Sequence, residues 1–419
     1  MLPNHTSHDE KSGNIKSWGA VIAMSLAAFA LVASEFMPVS LLTPLADDLH
    51  ISEGKAGTGI SVSGLCALVM ALVIAPVAAK TERKRLLLSM VIVMIMSGTV
   101  VAFAPNYEIF MLGRALIGVA IGGFWSLSAA TVIRLVPENS VPRALAIVNG
   151  GNALATVIAA PLGSYLGAFI GWRWAFFSVV PVAMLALVWM MVSMPILTRV
   201  VNASRQSNAL KLLKKPPVAM GMLAVAGFFM GQFMLFTYLR PFLESVTQLD
   251  VTMVSFVLLL TGLGGLAGTF VIGTVLEHGG LYKTLIGVPV LMGIIALLLT
   301  AYGRDFTVTA SLLGVWGFIA TATPVAWFTW IARTVPEDVE AGGGLFVAIC
   351  QLAIASGGIA GGVLFDHFGY RATFEMSAVL LFITAALACA AGLAARNHAE
   401  CQENRVNRVN RDGFCEEAE

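Results

Sequence analysis

Twelve apolar stretches, each about 20 residues long, dominate this 419-residue sequence. A helix of about that length crosses the roughly 30 Å hydrocarbon core of a lipid bilayer. In the first half of the chain the stretches lie near residues 18–42, 56–79, 86–104, 109–133, 144–168 and 174–194. In the second half they lie near 217–239, 252–275, 284–302, 306–332, 342–364 and 374–394. We therefore predict an all-α membrane protein with 12 transmembrane helices.

The amino-acid composition also indicates a membrane protein. Hydrophobic residues make up 58% of the chain and charged residues only 12%, which is too little polar surface for a protein of this size in water. The first 17 residues are polar, and the first apolar stretch is long and has no cleavage site. We interpret it as a retained span and not as a signal peptide. The net charge of +1 does not indicate a nucleic-acid partner.

The basic residues favour one side of the membrane. If residue 1 lies in the cytoplasm, 19 of the 25 lysines and arginines fall on cytoplasmic segments. Because lysine and arginine concentrate in the cytoplasmic loops of membrane proteins, we predict that both termini are cytoplasmic. Five basic residues then fall on outside loops, and we interpret them, Arg240 included, as solvated loop anchors.

The two halves of the chain repeat each other at two equivalent loops. Arg-Leu-Val-Pro-Glu-Asn at 134–139 returns as Arg-Thr-Val-Pro-Glu-Asp at 333–338, which is 199 positions later. Gly-Trp-Arg at 171–173 returns as Gly-Tyr-Arg at 369–371, which is 198 positions later. An offset of this size covers six spans, so it indicates a duplicated six-helix unit in parallel topology.

The repeat predicts five segments. They are a cytoplasmic tail at 1–17, a six-helix bundle at 18–194, a cytoplasmic linker at 195–216, a second six-helix bundle at 217–394 and a cytoplasmic tail at 395–419. Transporters built from parallel repeats bind their substrate near the bilayer midplane, between bundles that rock against each other. The architecture therefore predicts transport of a small-molecule substrate.

Two motifs lie within the fourth and fifth spans. The fourth span has Arg-Ala-Leu-Ile-Gly at 114–118, which ends at Gly118 and is followed by Gly122. The fifth span has the segment 150–163, with Pro161 and Gly163. They resemble the fourth-helix motif and the fifth-helix antiporter motif of the major facilitator superfamily, in its drug and metabolite proton-antiporter branch.

The loop after the second span departs from the family pattern. The family has G-x-x-x-D-R-x-G-R-R there, whereas this chain has Lys-Thr-Glu-Arg-Lys-Arg at 80–85. Both glycines are missing, and Glu82 stands in place of the aspartate, before Arg83. We therefore expect the gating that this loop provides to be altered.

Further stretches of resemblance lie at 35–44, 122–125, 157–163, 231–233 and 236–241. They are similar to bacterial purine ribonucleoside exporters, and the resemblance covers nearly the whole of residues 18–394. It implies a proton-coupled antiporter of the bacterial inner membrane that moves a small neutral metabolite, such as inosine or guanosine, out of the cytoplasm. Exporters of arabinose-like sugars and of small drugs have similar first and fourth helices, so these substrates remain alternatives, as does import by proton symport.

Glu35 is the only acidic residue within the first span. An ionised carboxylate at the centre of a membrane helix costs at least ~2.5 kcal/mol, so it should be either paired or protonated. Arg114 is predicted to lie at a similar depth, roughly 8 Å from the outer end of its span against roughly 10 Å for Glu35. We predict that the two pair and couple transport to protons, an assignment that leans on the family resemblance. The alternative is a static ion pair that only sets the helix register.

Polar and aromatic residues on the predicted cavity helices are candidates for substrate binding. An amide side chain both donates and accepts hydrogen bonds, and stacking of a base on an aromatic ring contributes roughly 1–3 kcal/mol. The candidates are Trp125, Asn149, Asn152, Gln232, Phe236, Tyr238, Trp327 and Gln351. The alternative role for each is interhelical hydrogen bonding or contact with lipid.

Small residues four positions apart, such as Gly264 with Gly268 or Gly118 with Gly122, indicate helices packed closely together. Pro161 is expected to kink its span. The sequence has no Walker motif for ATP and no CxxC or HExxH spacing for a metal. We therefore expect no cofactor, no metal and no enzymatic activity. The expected partners are protons, the small-molecule substrate and membrane lipid, and we expect a monomer.

Overall fold

A computed structural model describes residues 6–137, 140–195, 209–335 and 339–416. The helices of the first half are α1 (Thr6–Leu49), α2 (Glu53–Lys80), α3 (Arg83–Ala102), α4 (Tyr107–Leu135), α5 (Val141–Ile170), α6 (Trp172–Phe177) and α7 (Val179–Ser193). Those of the second half are α8 (Ala209–Leu212), α9 (Pro216–Phe236), α10 (Leu239–Ser245), α11 (Val251–Gly279), α12 (Leu281–Tyr302), α13 (Phe306–Thr334) and α14 (Val339–Glu416). Most of the predicted linker, and parts of the first repeated loop in each half, lie outside the described residues.

The predicted spans are present as helices. Among the described residues, eleven helical segments are long and apolar enough to cross a membrane. The last of these, Gly342–Ala394, has 53 residues and is interrupted at Gly369, where φ is 76°. It therefore supplies two spans, and the prediction of a 12-helix membrane protein is confirmed. Helix α1 begins at Thr6, inside the segment predicted as a tail, and α14 continues to Glu416.

Four spans begin with a side-chain cap on the same side of the molecule. Ser52, Asn106, Asp250 and Asp305 precede α2, α4, α11 and α13, and each accepts a hydrogen bond of 2.8–3.1 Å from the N–H three residues later. Such caps satisfy N–H groups that the first helical turn leaves without partners. We call this side the distal side, and the side on which α1 begins the terminal side.

Each bundle packs around its own hydrophobic core. One core contains buried residues between positions 20 and 194 together with Tyr238, and the other contains residues between 212 and 388 together with Ala160. Two helix pairs join the bundles, because α2 packs along the first part of α14 and α5 packs along α11. The fold is therefore two six-helix bundles with two long contacts between them.

The two loops of the second repeat, at Gly171 and Gly369, share the same backbone conformation. Gly171 has φ of 82° and Gly369 has φ of 76°, values that residues with a side chain rarely adopt. Each glycine is followed by an aromatic residue that packs inward, Trp172 against the first core and Tyr370 against the second. The sequence repeat thus corresponds to a repeated turn.

Gly268 of α11 lies directly against α13, as its spacing from Gly264 indicates. A methyl group at this position would overlap the main-chain carbonyl of Phe318. Gly273 lies further along the same helix, and no atom comes within 4 Å of the place a methyl group would take there. The two glycines therefore form a matched pair, one closely packed and one open.

We expect Gly268→Ala to destabilise the folded protein by about 1–3 kcal/mol, since a backbone must move to admit the methyl group. Gly273→Ala should leave stability unchanged or raise it slightly, because alanine favours the helix by about 0.5–1 kcal/mol. Thermal unfolding in detergent, followed by fluorescence-detection size exclusion, compares the two. Equal unfolding midpoints would contradict the close packing of α11 on α13.

Candidate functional site

Arg114 is fully buried where α1, α2 and α4 meet. Pro38, inside α1, has no N–H, so it leaves the carbonyl of Ser34 without its usual helical partner. Arg114 supplies the missing donor at 2.9 Å. Its guanidinium donates hydrogen bonds of 2.9–3.3 Å to the carbonyl oxygens of Ser34, Glu35 and Gly59 and to the hydroxyl of Ser63.

Glu35 lies beside Arg114, as predicted, but the predicted ion pair is not formed. The guanidinium contacts the main-chain carbonyl of Glu35 at 3.3 Å. Within the described part of the chain, the carboxylate has no ion-pair partner and no hydrogen bond. The donors of Arg114 are directed at main-chain oxygens and Ser63 instead, and the Glu35 carboxylate interacts with the guanidinium only through the attraction of their opposite charges. The half-buried Glu35 carboxyl is therefore unpaired in this conformation.

On the distal side, Asp366 of α14 caps the start of α2. Its carboxylate accepts hydrogen bonds from the main-chain N–H of Gly54 at 2.9 Å and from the hydroxyl of Ser52 at 2.5 Å. Because a helix N-terminus carries partial positive charge, a carboxylate is stabilised there. One bundle thus closes onto the other through a side chain and a helix end.

Tyr238, predicted as a substrate-binding residue, lies in the same closed interface. Its hydroxyl donates to the carbonyl of Gly358 at 2.8 Å and lies 3.4 Å from that of Gly54. Its ring stacks on Phe365 with centroids 5.1 Å apart. A residue with these contacts is not available to a substrate in this conformation.

Arg240 connects the second bundle to the first. The interpretation of this residue as a solvated loop anchor is wrong, because it is only 4% exposed. It pairs with Glu244 at 2.8 Å, donates to the main-chain carbonyl of Ser40 on α1 and lies 3.5 Å from the hydroxyl of Ser164 on α5. The short helix α10 follows α9 directly and holds the arginine against α1, so the segment is not a loop in water.

The hydrogen bonds between the bundles, so far as the described residues show them, all lie on the distal side. They join Asp366 to Ser52 and Gly54, Tyr238 to Gly54, and Arg240 to Ser40 and Ser164.

Towards the terminal side, the distance between α2 and α14 increases. Leu72 follows Gly54 by about five helical turns, which places both on one face of α2. Gly54 contacts α14, whereas Leu72 is 68% exposed. On α14, Gly344 precedes Gly362 by about five turns. Gly362 touches α2, but no atom lies within 4 Å of the place a methyl group would take at Gly344.

Helices α5 and α11 diverge in the same direction. They touch where Gly262 lies against the main chain of Val157. Gly150 and Gly273 lie on the same faces, about two and three turns closer to the terminal side. Neither has an atom within 4 Å of its methyl position. Both helix pairs therefore leave a cleft between the bundles that opens on the terminal side.

An aromatic cluster lies between this cleft and the distal contacts. Phe36, next to Glu35, stacks on Phe233 of α9 with ring centroids 6.1 Å apart. Phe233 meets Phe236, a predicted substrate-stacking residue, edge to face at 6.1 Å. Since Phe36 lies about one turn from Ser40 on α1, the cluster lies one turn below the Arg240 contact.

Two of the predicted amide residues have unused acceptors. Among the described residues, the buried Oε1 atoms of Gln232 and Gln351 have no hydrogen-bond partner. Gln351 lies at the contact of α14 with Gly64 of α2, between the bundles. A buried polar atom without a hydrogen-bond partner is unfavourable. A bound molecule that donates a hydrogen bond to either oxygen would remove this cost and bind more tightly.

The remaining candidates have different surroundings. Trp125 and Asn152 are half-buried. Asn149 is exposed, and its amide donates to the carbonyl of Leu145 at 3.0 Å within α5. Trp327 is fully buried and meets Trp330 edge to face at 5.7 Å, so its ring offers no open face in this conformation.

The motif glycines lie at helix contacts. Gly118 and Gly122 of α4 lie against main-chain carbonyls of α2, and Gly163 of α5 lies against side chains of α1. Pro161 lies inside α5, two residues before Gly163. These positions support tight packing within the first bundle.

The altered loop after α2 also makes specific contacts. Glu82 pairs with Arg85 at 3.0 Å, and Arg83 is half-buried. The ammonium of Lys84 donates to the carbonyls of Met191 at 3.0 Å and Met194 at 2.5 Å, at the end of α7. A cation is favourable at a helix C-terminus, so Lys84 ties this loop to α7.

Sequence reasoning missed Arg240, Asp366 and Phe233. Asp366 gave no signal, because its partner is a helix end in the other bundle. Arg240 lies in the resembling stretch 236–241, and its acceptor could be identified from the sequence, because Pro44 lies four residues after Ser40 and frees that carbonyl.

Two six-helix bundles that touch on one side and are separated by a cleft on the other are the arrangement found in secondary membrane transporters. The family model described as Major Facilitator Superfamily matches residues 24–355, and the chain belongs to this family. It is accordingly a multi-pass transporter of a small molecule and not an enzyme.

Two relatives are similar along most of their length. The chain is 54% identical over 389 residues to a Pseudomonas aeruginosa protein named "Transcription regulatory protein OpdE", covering 92% of this chain and 96% of that one. It is 38% identical over 374 residues to the Salmonella typhimurium "Purine ribonucleoside efflux pump NepI", covering 89% of this chain and 94% of the pump.

Solved structures share the fold at low sequence identity. The nucleoside transporter NupG matches with a TM-score of 0.76 and 14% identity, covering 90% of this chain and 99% of that one. A bacterial homologue of the human lysosomal transporter Spinster matches with a TM-score of 0.74 and 16% identity, covering 89% and 96%.

We expect Arg114→Lys to destabilise the protein by about 2–3 kcal/mol. A lysine ammonium cannot reproduce the planar fork of donors that spans these acceptors, and hydrogen bonds to charged groups contribute about 1.5–3 kcal/mol each. The exposed Arg304 offers a matched control, since Arg304→Lys should not change the midpoint. Thermal unfolding in detergent measures both, and an unchanged midpoint for Arg114→Lys would show that its main-chain contacts contribute little.

Proposed function

We propose that this protein exports a purine ribonucleoside, such as inosine or guanosine, from the cytoplasm in exchange for protons, by alternating access. The observation that carries the proposal is the 38% identity, over 89% of the chain, to a protein named as a purine ribonucleoside efflux pump. Identity of this extent covers both bundles and the cleft between them. Export of sugars or small drugs by the same architecture is the alternative.

The chemistry of the cleft suits a flat, neutral and polar molecule. Gln232 and Gln351 have acceptor atoms without partners, which suit the hydroxyl and amino groups of a nucleoside. Phe236 and Trp125 are half-buried rings on which a base could stack. In our proposal Asn149 and Asn152 join them from α5. Tyr238 and Trp327 would take part only after a change of conformation, because both are fully buried here.

Glu35 is the proton carrier in this proposal. Its carboxyl has no fixed partner among the described residues, so it is able to gain a proton in an apolar surrounding and lose it to water. Arg114 stays in place because its hydrogen bonds go to neutral acceptors, whatever the charge of Glu35. The arginine therefore supplies a permanent positive charge next to an acid that titrates.

We further propose that the protein lies in the bacterial inner membrane as a monomer, with both termini in the cytoplasm. The excess of lysine and arginine on the terminal side supports this orientation. The cleft then faces the cytoplasm, which is the side from which an exporter loads its substrate. Gly118, Gly122, Pro161, Gly163, Glu82 and Arg83 remain proposed gating or packing residues.

The proton gradient supplies enough free energy for such an exchange. One proton moving inward releases about 2.3 kcal/mol per 100 mV of membrane potential and about 1.4 kcal/mol per pH unit. With 100 mV and one pH unit, one proton per neutral nucleoside sustains a gradient of a few hundredfold, since each tenfold step requires about 1.4 kcal/mol.

Uptake of radiolabelled inosine into everted membrane vesicles with an acid interior tests the proposal. We expect the wild type to accumulate inosine at least about tenfold, and a protonophore to abolish this accumulation. Glu35→Gln should allow no accumulation, because an amide cannot carry the proton. Glu108→Gln is the matched control, since Glu108 is exposed in the first turn of α4 and should not affect uptake.

The possible results separate mechanism from substrate. If a sugar or drug is accumulated in place of inosine with the same dependence on Glu35, the substrate assignment fails and proton coupling stands. If Glu35→Gln still accumulates inosine against a gradient, the assignment of Glu35 as proton carrier is wrong.

The relative named as a transcription regulatory protein supports a second candidate function, an effect on gene expression. We propose that such an effect would arise through transport, because exporting a small molecule lowers its concentration inside the cell. In a strain lacking the gene, wild type should restore the transcript profile, and Glu35→Gln should not. Full restoration by Glu35→Gln would show that any regulatory effect does not require proton-coupled transport.

A further inference from the structure

Helix α1 contains two prolines in its interior, and each frees one carbonyl. Pro38 leaves Ser34 without an N–H partner, and Pro44 does the same for Ser40. The corresponding span of the second bundle, Pro216–Ser245, has prolines at the first positions of α9 and one more, Pro241, in the first turn of the short helix α10. Helix α1 continues as one helix through both of its prolines, whereas its counterpart is divided into α9 and α10.

A buried arginine donates a hydrogen bond to each freed carbonyl. Arg114 donates to Ser34 from within the first bundle, and Arg240 donates to Ser40 from the second bundle. Arg114 is fully buried and Arg240 is 4% exposed. In a bilayer, neighbouring side chains commonly satisfy the main-chain groups that a proline frees. The hydrogen bond of Arg114 lies within the first bundle, whereas that of Arg240 joins the two bundles.

We propose that the contact of Arg240 with the Pro44-freed carbonyl of Ser40 is a latch that holds the distal side closed and breaks when that side opens. Arg240 moves with the second bundle and Ser40 with the first, so the contact cannot survive their separation. The Arg114 contact lies within one bundle and persists throughout the cycle. The proposal rests on alternating access and does not depend on which substrate is transported.

The surroundings of Arg240 support a contact that can break. Glu244 lies on the same short helix as Arg240 and pairs with it at 2.8 Å, so the guanidinium keeps one ionic partner in either conformation. The hydroxyl of Ser164, at 3.5 Å, is the other contact with the first bundle. Opening the distal side would replace both first-bundle contacts by water.

Pro44 is what makes this proposal specific. Pro44→Ala restores an N–H four residues after Ser40, so the carbonyl regains a partner within α1 and becomes a poorer acceptor for Arg240. Pro44→Ala should therefore weaken the latch while leaving Arg240 intact. Because alanine also removes a helix break, this variant is expected to fold even if a change at Arg240 does not.

Distances between spin labels on the two bundles test the latch. The five cysteines are replaced in the full-length chain, and labels are attached at Glu108→Cys and Arg304→Cys, two exposed distal positions in different bundles. Double electron–electron resonance is measured in lipid nanodiscs without substrate. We expect Arg240→Gln and Pro44→Ala each to raise the ratio of distal-open to distal-closed molecules at least about threefold.

A double variant and a control make the result decisive. If the arginine acts through the freed carbonyl, Arg240→Gln with Pro44→Ala should shift the ratio no further than the larger single change, since both remove one interaction. Pro289→Ala is the control, because Pro289 is an interior proline of α12, which is not one of the helices that join the bundles. It should leave the ratio unchanged.

The proposal is overturned if Pro44→Ala does not shift the ratio, if the two changes add fully, or if Pro289→Ala shifts it equally. The measurement needs neither inosine nor a proton gradient. Failure of the latch is therefore distinguishable from failure of the proposed nucleoside export, which the vesicle experiment tests.

Discussion

In a lipid bilayer no water is present to bond a main-chain carbonyl that lacks a partner, so the protein itself must supply the donor. This constraint determines which side chains pack against α1. The two interior prolines of α1 each leave one carbonyl unpaired. Two arginines fill these positions, and each is thereby buried where an unpaired cation would be costly. The freed carbonyl and the buried arginine would each be unfavourable alone, and the hydrogen bond between them satisfies both.

The same constraint helps to fix the position of Arg114 beside Glu35. A guanidinium has five N–H donors in a fixed plane, and Arg114 directs them at main-chain carbonyls and a hydroxyl of α1 and α2. The arginine is thus held by groups that do not titrate. A neighbouring acid can then change its charge without releasing the arginine, which is the property that the proposed proton coupling requires.

Much of the architecture could be predicted from local pattern, because apolar length and loop repeats are properties of short segments. The 12 spans and the repeated turns at Gly171 and Gly369 follow directly from such patterns. The expected depth of Glu35 and Arg114 also brought them together correctly. The form of their contact was not predictable, because main-chain carbonyls are present at every residue and the sequence does not show which of them are within reach of a guanidinium.

By itself, the sequence determined that this chain crosses a membrane as two related bundles, since no water-soluble fold could bury so many apolar residues. It also determined where helical hydrogen bonds are broken, because proline has no N–H wherever it occurs. Only the tertiary structure decided which side chains repair those breaks, and that Arg240 does so from the opposite bundle and is not dissolved in water. Contacts between bundles depend on their relative position, which is itself the variable that a transporter changes, and therefore no local pattern records them.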